Sequence, residues 1–203
     1  YIKDGGRGMY RTTEISRKTY ETDICIKLNL DGMGKSEVDT GIGFFDHMLT
    51  LFSKHGLIDL NISCKGDLET DSHHSVEDVG IVLGQAISKA LGDKASISRY
   101  GSTYVPMDET LARVVIDLSS RPFLYYDIPF TRQELGNMAV EMVEEFFRAV
   151  SNNAGITLHI EVLHGTNNHH MAEAVFKAFG RALRQAVIRD EKIIGVPSTK
   201  GLL

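Results

Sequence analysis

The hydrophobic positions of this chain change period several times, and each change marks an element. Ile24, Ile26, Leu28 and Leu30 alternate with polar residues, the two-residue period of a half-buried strand. A glycine-bounded apolar segment over 44–52 predicts a short helix, and Leu57, Leu60 and Ile62 predict a strand that ends at Gly66. Residues 72–91 then carry the spacing of a long helix, stopped by Gly92. A second series follows. Strands are predicted over 111–118 and 123–128, and helical spacing returns over 138–150, where Val140, Val143, Phe146, Phe147 and Val150 are apolar. Residues 157–163 predict a strand and 168–188 the second long helix.

Strand, helix, strand and long helix therefore occur twice, with a strand pair (98–107 and its successor) between the two series. This predicts an α+β fold with an internal duplication, two β-sheet-plus-helices halves packed as one catalytic subunit, rather than a doubly wound sheet. The halves are 9–95 and 96–203; residues 1–8 are glycine-rich, lack any period and are set apart as a leader or an artificial remnant.

Both long helices open on the same words. His73-His74-Ser75-Val76-Glu77 and His169-His170-Met171-Ala172-Glu173 each read His-His-x-x-Glu. Residues four apart share a helix face, so His73 lies over Glu77 and His169 over Glu173, half of a first-row metal site in each case. The second histidine of each doublet points about 100° away around the axis and is left to serve another ion. Isolated histidines are usually surface or hydrogen-bonded residues, and a glutamate at this offset is often only helix support. Yet four of the eight histidines fall in these doublets, each with its carboxylate at the same offset, which favours two metal ions shared between segments or subunits. The duplication adds His47 in the first short helix and, at the matching place in the second half, Glu145.

Composition narrows the rest. With 42% hydrophobic and 24% charged residues the chain is an ordinary globular one, and a net charge of -5 argues against nucleic acid as its main ligand. Its apolar runs are too short to span a bilayer and no secretory leader precedes the first strand, so a cytoplasmic location is expected. Cys25 and Cys64 lie in alternating strands and read as small core residues, not a disulfide. Ser198-Thr199-Lys200-Gly201 offers hydroxyls and an ammonium suited to phosphate oxygens, although a C-terminal tail reads the same way. Arg99, Arg121 and Lys177 are candidate partners for such an anion. Met107-Asp108-Glu109-Thr110 puts two carboxylates where a general acid or base, or only a strand-end turn, would sit; Glu21 at the start of the first strand is equally open. His55, His159 and His164 show no partner at helical spacing.

The segments Gly43-Phe44-Phe45-Asp46-His47-Met48-Leu49, Asp71 to Asp78 and Asn168-His169-His170 through Phe179 resemble the imidazoleglycerol-phosphate dehydratase family. So do Arg99-Tyr100-Gly101, Met107-Asp108-Glu109 and Pro197 to Gly201, in order along nearly the whole chain, in the monofunctional form without a phosphatase extension. The resemblance implies a ribosomal S5 domain 2-like fold and dehydration of D-erythro-imidazole glycerol phosphate to imidazole acetol phosphate in histidine biosynthesis. It also implies two Mn(II) ions per active site, lying between subunits of a homo-oligomer, a 24-mer built from trimers, with no membrane or nucleic-acid partner. By the same likeness, His47, His74, His169 and Glu173 hold one ion, and His73, Glu77 and His170 contribute to the other. The family pattern has a histidine where this chain has Glu145, a substitution that keeps an oxygen ligand and changes site charge.

The implied mechanism passes through a metal-stabilised imidazolate and a diazafulvene-like intermediate, with proton transfer assigned to Glu21 and with Glu77 or Glu173 as alternatives. Arg99, Arg121, Lys177, Ser198, Thr199 and Lys200 are implied to hold the phosphate, several of them in a neighbouring subunit's site. Two rivals stand beside this: a di-metal hydrolase, whose ions sit about 3.5–4 Å apart, and a ferritin-like four-helix metal carrier.

Overall fold

The computed structural model describes residues 11–203, and over that span both halves are built to one plan. Residues 1–8, set apart above, lie outside the described residues. The first half runs β1 (Thr12–Lys18), β2 (Thr22–Asn29), β3 (Ser36–Asp39), α1 (Gly43–Gly56), β4 (Asp59–Gly66) and α2 (His73–Leu91). The second runs β5 (Tyr100–Met107), β6 (Thr110–Asp117), β7 (Phe123–Asp127), a small hairpin of β8 (Glu134–Leu135) and β9 (Met138–Ala139), then α3 (Glu141–Ala154), β10 (Thr157–His164) and α4 (Asn168–Val187). The sheets have orders β1-β2-β4-β3 and β5-β6-β10-β7. In each, the first two pairings are antiparallel and the last is parallel. The fold is α+β and duplicated, and two four-stranded sheets exclude the ferritin-like helical bundle.

The repeat extends to single hydrogen bonds. Ser53 Oγ donates to the Ile58 carbonyl at 2.7 Å, and Ser151 Oγ to the Ile156 carbonyl at 2.8 Å, each closing the turn from helix to strand. Leu57 and Gly155 hold the same left-handed capping position, with φ of 51° and 63°. Leu57 therefore caps α1 and is not part of the following strand, whose alternation begins after it. Two other expectations shift. The helix predicted from residue 138 begins at Glu141, because Met138 pairs with Leu135 in the hairpin. The strand pair predicted to lie between the halves is β5–β6 of the second half, and its counterpart is β1–β2 of the first. Cys64 is buried and Cys25 is not a core residue, since it faces outward from β2.

Each helix packs on its own half's sheet and on a helix of the other half, α1 on α4 and α2 on α3. Glycines allow the close approach. A Cβ on Gly180 would stand 2.4 Å from the Phe52 carbonyl oxygen and 3.0 Å from the Gly56 nitrogen. A Cβ on Gly84 would stand 2.8 Å from the Val150 carbonyl oxygen and 3.0 Å from the Ala154 nitrogen, the equivalent atoms of α3. Phe45, Phe52, Phe146, Phe147, Phe176 and Phe179 fill the space among the helices, each fully buried and in ring contact with another. Among the described residues, no helix is long and apolar enough to cross a membrane.

Candidate metal centre

Both histidine doublets sit in the first turn of their helix, and a side-chain oxygen two residues before each accepts the backbone N–H of its first histidine. Asn167 precedes α4 in an extended conformation, and its side-chain oxygen accepts the backbone N–H groups of His169 and His170. Asp71 accepts the backbone N–H of His73 at 2.7 Å. Buried Asn168 accepts the N–H of Thr131 at 2.7 Å and so ties the loop before β8 to the start of α4. That loop and α4 wall a cleft of about 680 Å³, lined by Arg132, Glu134, Asn167, His169 and His170 among others. A larger concavity of about 850 Å³ is lined by residues of all four strands of the first sheet and holds no histidine.

The packing of α1 on α4 brings His47 to Glu173. Nε2 of His47 lies 2.7 Å, and Nε2 of His169 3.0 Å, from the same carboxylate oxygen. Lys177 Nζ donates to the other oxygen at 2.6 Å. Burial raises the Glu173 carboxyl, but the hydrogen bonds from Lys177, His47 and His169 outweigh it and hold it down at about 2. Glu173 is thus a carboxylate at neutral pH. Ligating atoms of His47, His169 and Glu173 all lie within 4.8 Å of one another, and this is the one such His/Cys/Asp/Glu group among the described residues. The set fits a first-row divalent ion: two imidazole nitrogens and one carboxylate oxygen converge, and bonds of about 2.1 Å span donors up to roughly twice that apart.

The first half carries the equivalent parts less tightly assembled. His73 Nε2 lies 3.7 Å from Glu77, as helical spacing requires. Glu145 occupies on α3 the place of His47 on α1, and its carboxylate lies 3.8 Å from Arg148 of its own helix. The second histidines turn away from their doublets as expected. His74 Nδ1 meets Asp67 at 3.0 Å, and His170 Nδ1 meets Glu109 at 2.8 Å. Glu21 lies in the turn ahead of β2, with its carboxylate 3.7 Å from His74 Nε2. Asp67 was not signalled by the sequence, because its partner is close in space and seven positions away along a bend.

The candidate anion groups gather elsewhere. Arg99 is buried, donates to both oxygens of Asp117 at 2.7 and 3.1 Å, and donates to the Pro197 carbonyl at 2.8 Å. It therefore holds the segment carrying Ser198, Thr199 and Lys200 beside Asp117. Arg121 also reaches Asp117, at 3.5 Å, and is largely exposed. Lys177 does not join them. Its ammonium is 3.6 Å from the Met107 sulfur at the far end of β5, whereas Arg99 precedes Tyr100 at the near end. A strand of eight residues separates the two by about 23 Å. One chain therefore carries the candidate metal ligands and the candidate anion residues at opposite ends of one sheet.

Comparison with known proteins identifies the family of the whole chain. A family model described as imidazoleglycerol-phosphate dehydratase matches residues 40–183. The imidazoleglycerol-phosphate dehydratase of Acetivibrio thermocellus is 63% identical over 195 residues, 96% of this chain and 100% of that protein. The crystal structure of the enzyme of that name from Staphylococcus aureus matches with a TM-score of 0.80 at 44% identity, covering 88% of this chain and 99% of its own. A structure from Pyrococcus furiosus matches with a TM-score of 0.80 at 35% identity, over 93% of this chain and 100% of its own.

Proposed function

The chain belongs to the imidazoleglycerol-phosphate dehydratase family of hydro-lyases, and from that premise we propose that it converts D-erythro-imidazole glycerol phosphate to imidazole acetol phosphate using two Mn(II) ions per active site. The observation that carries the metal half of this reading is the convergence of His47, His169 and Glu173 on one point. His74 completes that set from a neighbouring subunit, and His73, Glu77, Glu145 and His170 form the second. Support for the shared arrangement comes from the duplication, which relates the two sets residue by residue, and from the distance between Lys177 and Arg99. A homo-oligomer, a 24-mer built from trimers, supplies the neighbours.

When bound, the metal ions supply Lewis-acid stabilisation to the substrate's imidazole ring as it takes on negative charge. The protein's own groups do the rest. Glu21, exposed and beside His74 Nε2, takes the carbon-bound proton; general-base help of this kind contributes about 10²–10⁴-fold. Lys177 keeps Glu173 ionised and fixed in orientation. Arg121, Ser198, Thr199 and Lys200 hold the phosphate. Arg99 spends three of its five N–H groups on Asp117 and Pro197, so it orders that segment and has two left for the anion.

The test is product analysis after incubation with imidazole glycerol phosphate. Imidazole acetol phosphate, one water lighter than the substrate, is expected. Release of inorganic phosphate in its place would favour the di-metal hydrolase.

A further inference from the structure

His74 and His170 are equivalent residues of the two halves, and each has a carboxylate on the same ring atom. Asp67 oxygens lie 3.0 and 3.2 Å from His74 Nδ1, and Glu109 Oε2 lies 2.8 Å from His170 Nδ1. The two carboxylates are not equivalent to each other. Asp67 follows β4, whereas Glu109 sits in the β5–β6 turn, where the first half has Glu21 before Thr22 and the second has Glu109 before Thr110. Two unrelated segments thus do the same thing to the same atom.

Glu109 is itself held in place. Its other oxygen accepts the backbone N–H groups of Thr166 at 3.1 Å and Asn167 at 2.8 Å, in the loop that caps α4. An ionised carboxylate only accepts hydrogen bonds, so Nδ1 of its partner must carry the proton; in a neutral imidazole Nε2 is then the lone-pair nitrogen. The carboxylates facing those Nε2 atoms are Glu21 at 3.7 Å and Asp108 at 3.9 Å, both beyond hydrogen-bond reach. In water, imidazole has no such enforced tautomer.

We propose that Asp67 and Glu109 are positioning residues that fix His74 and His170 as Nδ1–H tautomers, so that each presents the Nε2 lone pair to a metal ion completed by another subunit. This rests on the two-metal reading above. A carboxylate behind a ligating histidine both orients the ring and makes it a stronger donor, and removing such a partner typically costs 10- to 100-fold in metal affinity.

The experiment is ¹⁵N magic-angle-spinning NMR of histidine-labelled, chelator-treated protein at a pH where the imidazoles are neutral, paired with Mn(II) binding followed by EPR. His74→Asn and His170→Asn assign the signals. Both rings are expected to show protonated Nδ1 and bare Nε2. Glu109→Ala is expected to release the His170 tautomer, and Asp67→Ala that of His74, with Mn(II) affinity falling about 10- to 100-fold in each. Glu109→Gln, which retains an acceptor for the Thr166 and Asn167 amides, controls for disruption of the turn and is also expected to weaken Mn(II) binding. Protonated Nε2 in the parent protein, or variants that bind Mn(II) as tightly as the parent, would overturn the proposal. A parent protein that binds no Mn(II) while showing the expected tautomers would instead overturn the two-metal reading.

Discussion

Gly84 and Gly180 occupy the same position in the two halves, each pressed against the backbone of a helix from the other half. The contact at Gly180 also sets the height of α1 on α4, and hence the approach of His47 to Glu173. Gly180→Ala puts a methyl group 2.4 Å from a carbonyl oxygen that cannot give way. Overpacking of this kind costs about 1–3 kcal/mol, partly offset by alanine's better helix propensity. Thermal melts should show a lower midpoint, and Mn(II) titration a weaker site. Gly84→Ala should lower the midpoint less, its nearest contact being longer, and should leave the His47–Glu173 distance unchanged.

Glu21→Gln removes the proton acceptor and keeps the side chain's shape. Turnover should fall by about 10²–10⁴-fold while Mn(II) stoichiometry and KM stay near those of the parent. Near-normal turnover would take Glu21 out of that role and return attention to Glu77 and Glu173.

Lys177 and Arg99 stand at opposite ends of β5, so the proposed function makes each active site from parts of two chains. His169→Ala, which breaks the metal half-site, and Arg121→Ala, which weakens the anion group, should each be poorly active alone. Co-expressed and assembled together, they should recover activity well above either variant, since some sites then combine two intact halves. No recovery in mixed oligomers would place the whole site within one chain.

Asp31 gives a pH-dependent contribution to stability. Arg11, buried and also bonded to the Val187 carbonyl at 2.6 Å, donates to both Asp31 oxygens and holds that carboxyl below its usual value. A depressed folded-state value means stability that is present above the unfolded pKa, near 4, and lost as pH falls through the folded one. Asp31→Asn should therefore melt lower than the parent at neutral pH, with the gap closing below about pH 4. A gap constant from neutral to acid pH would contradict the pairing.

Periodicity alone carried the duplication, because Ile24, Ile26 and Leu28 and their counterparts Ala112, Val114 and Ile116 face a core that tolerates no register slip. It passed over β1, whose residues alternate only between exposed and half-exposed, so no strong apolar stripe marks it. The His-His-x-x-Glu repeats gave the helical pairs directly, since four-residue spacing is local geometry. Asp67, Asp117 and Arg11 act through contacts that chain reversal creates, and nothing in their neighbours along the sequence signals that. Lys177 shows the opposite limit: the sequence grouped it with Arg99 and Arg121 as an anion partner, whereas the fold keeps it away from them and bonds it to Glu173 one turn earlier on α4.

The most direct test of the account is a dehydratase assay on imidazole glycerol phosphate with chelated protein, before and after stepwise addition of Mn(II). The account predicts no turnover without metal and recovery that saturates at two Mn(II) per chain. Full turnover by metal-free protein, or none with two Mn(II) bound and the oligomer intact, would contradict it.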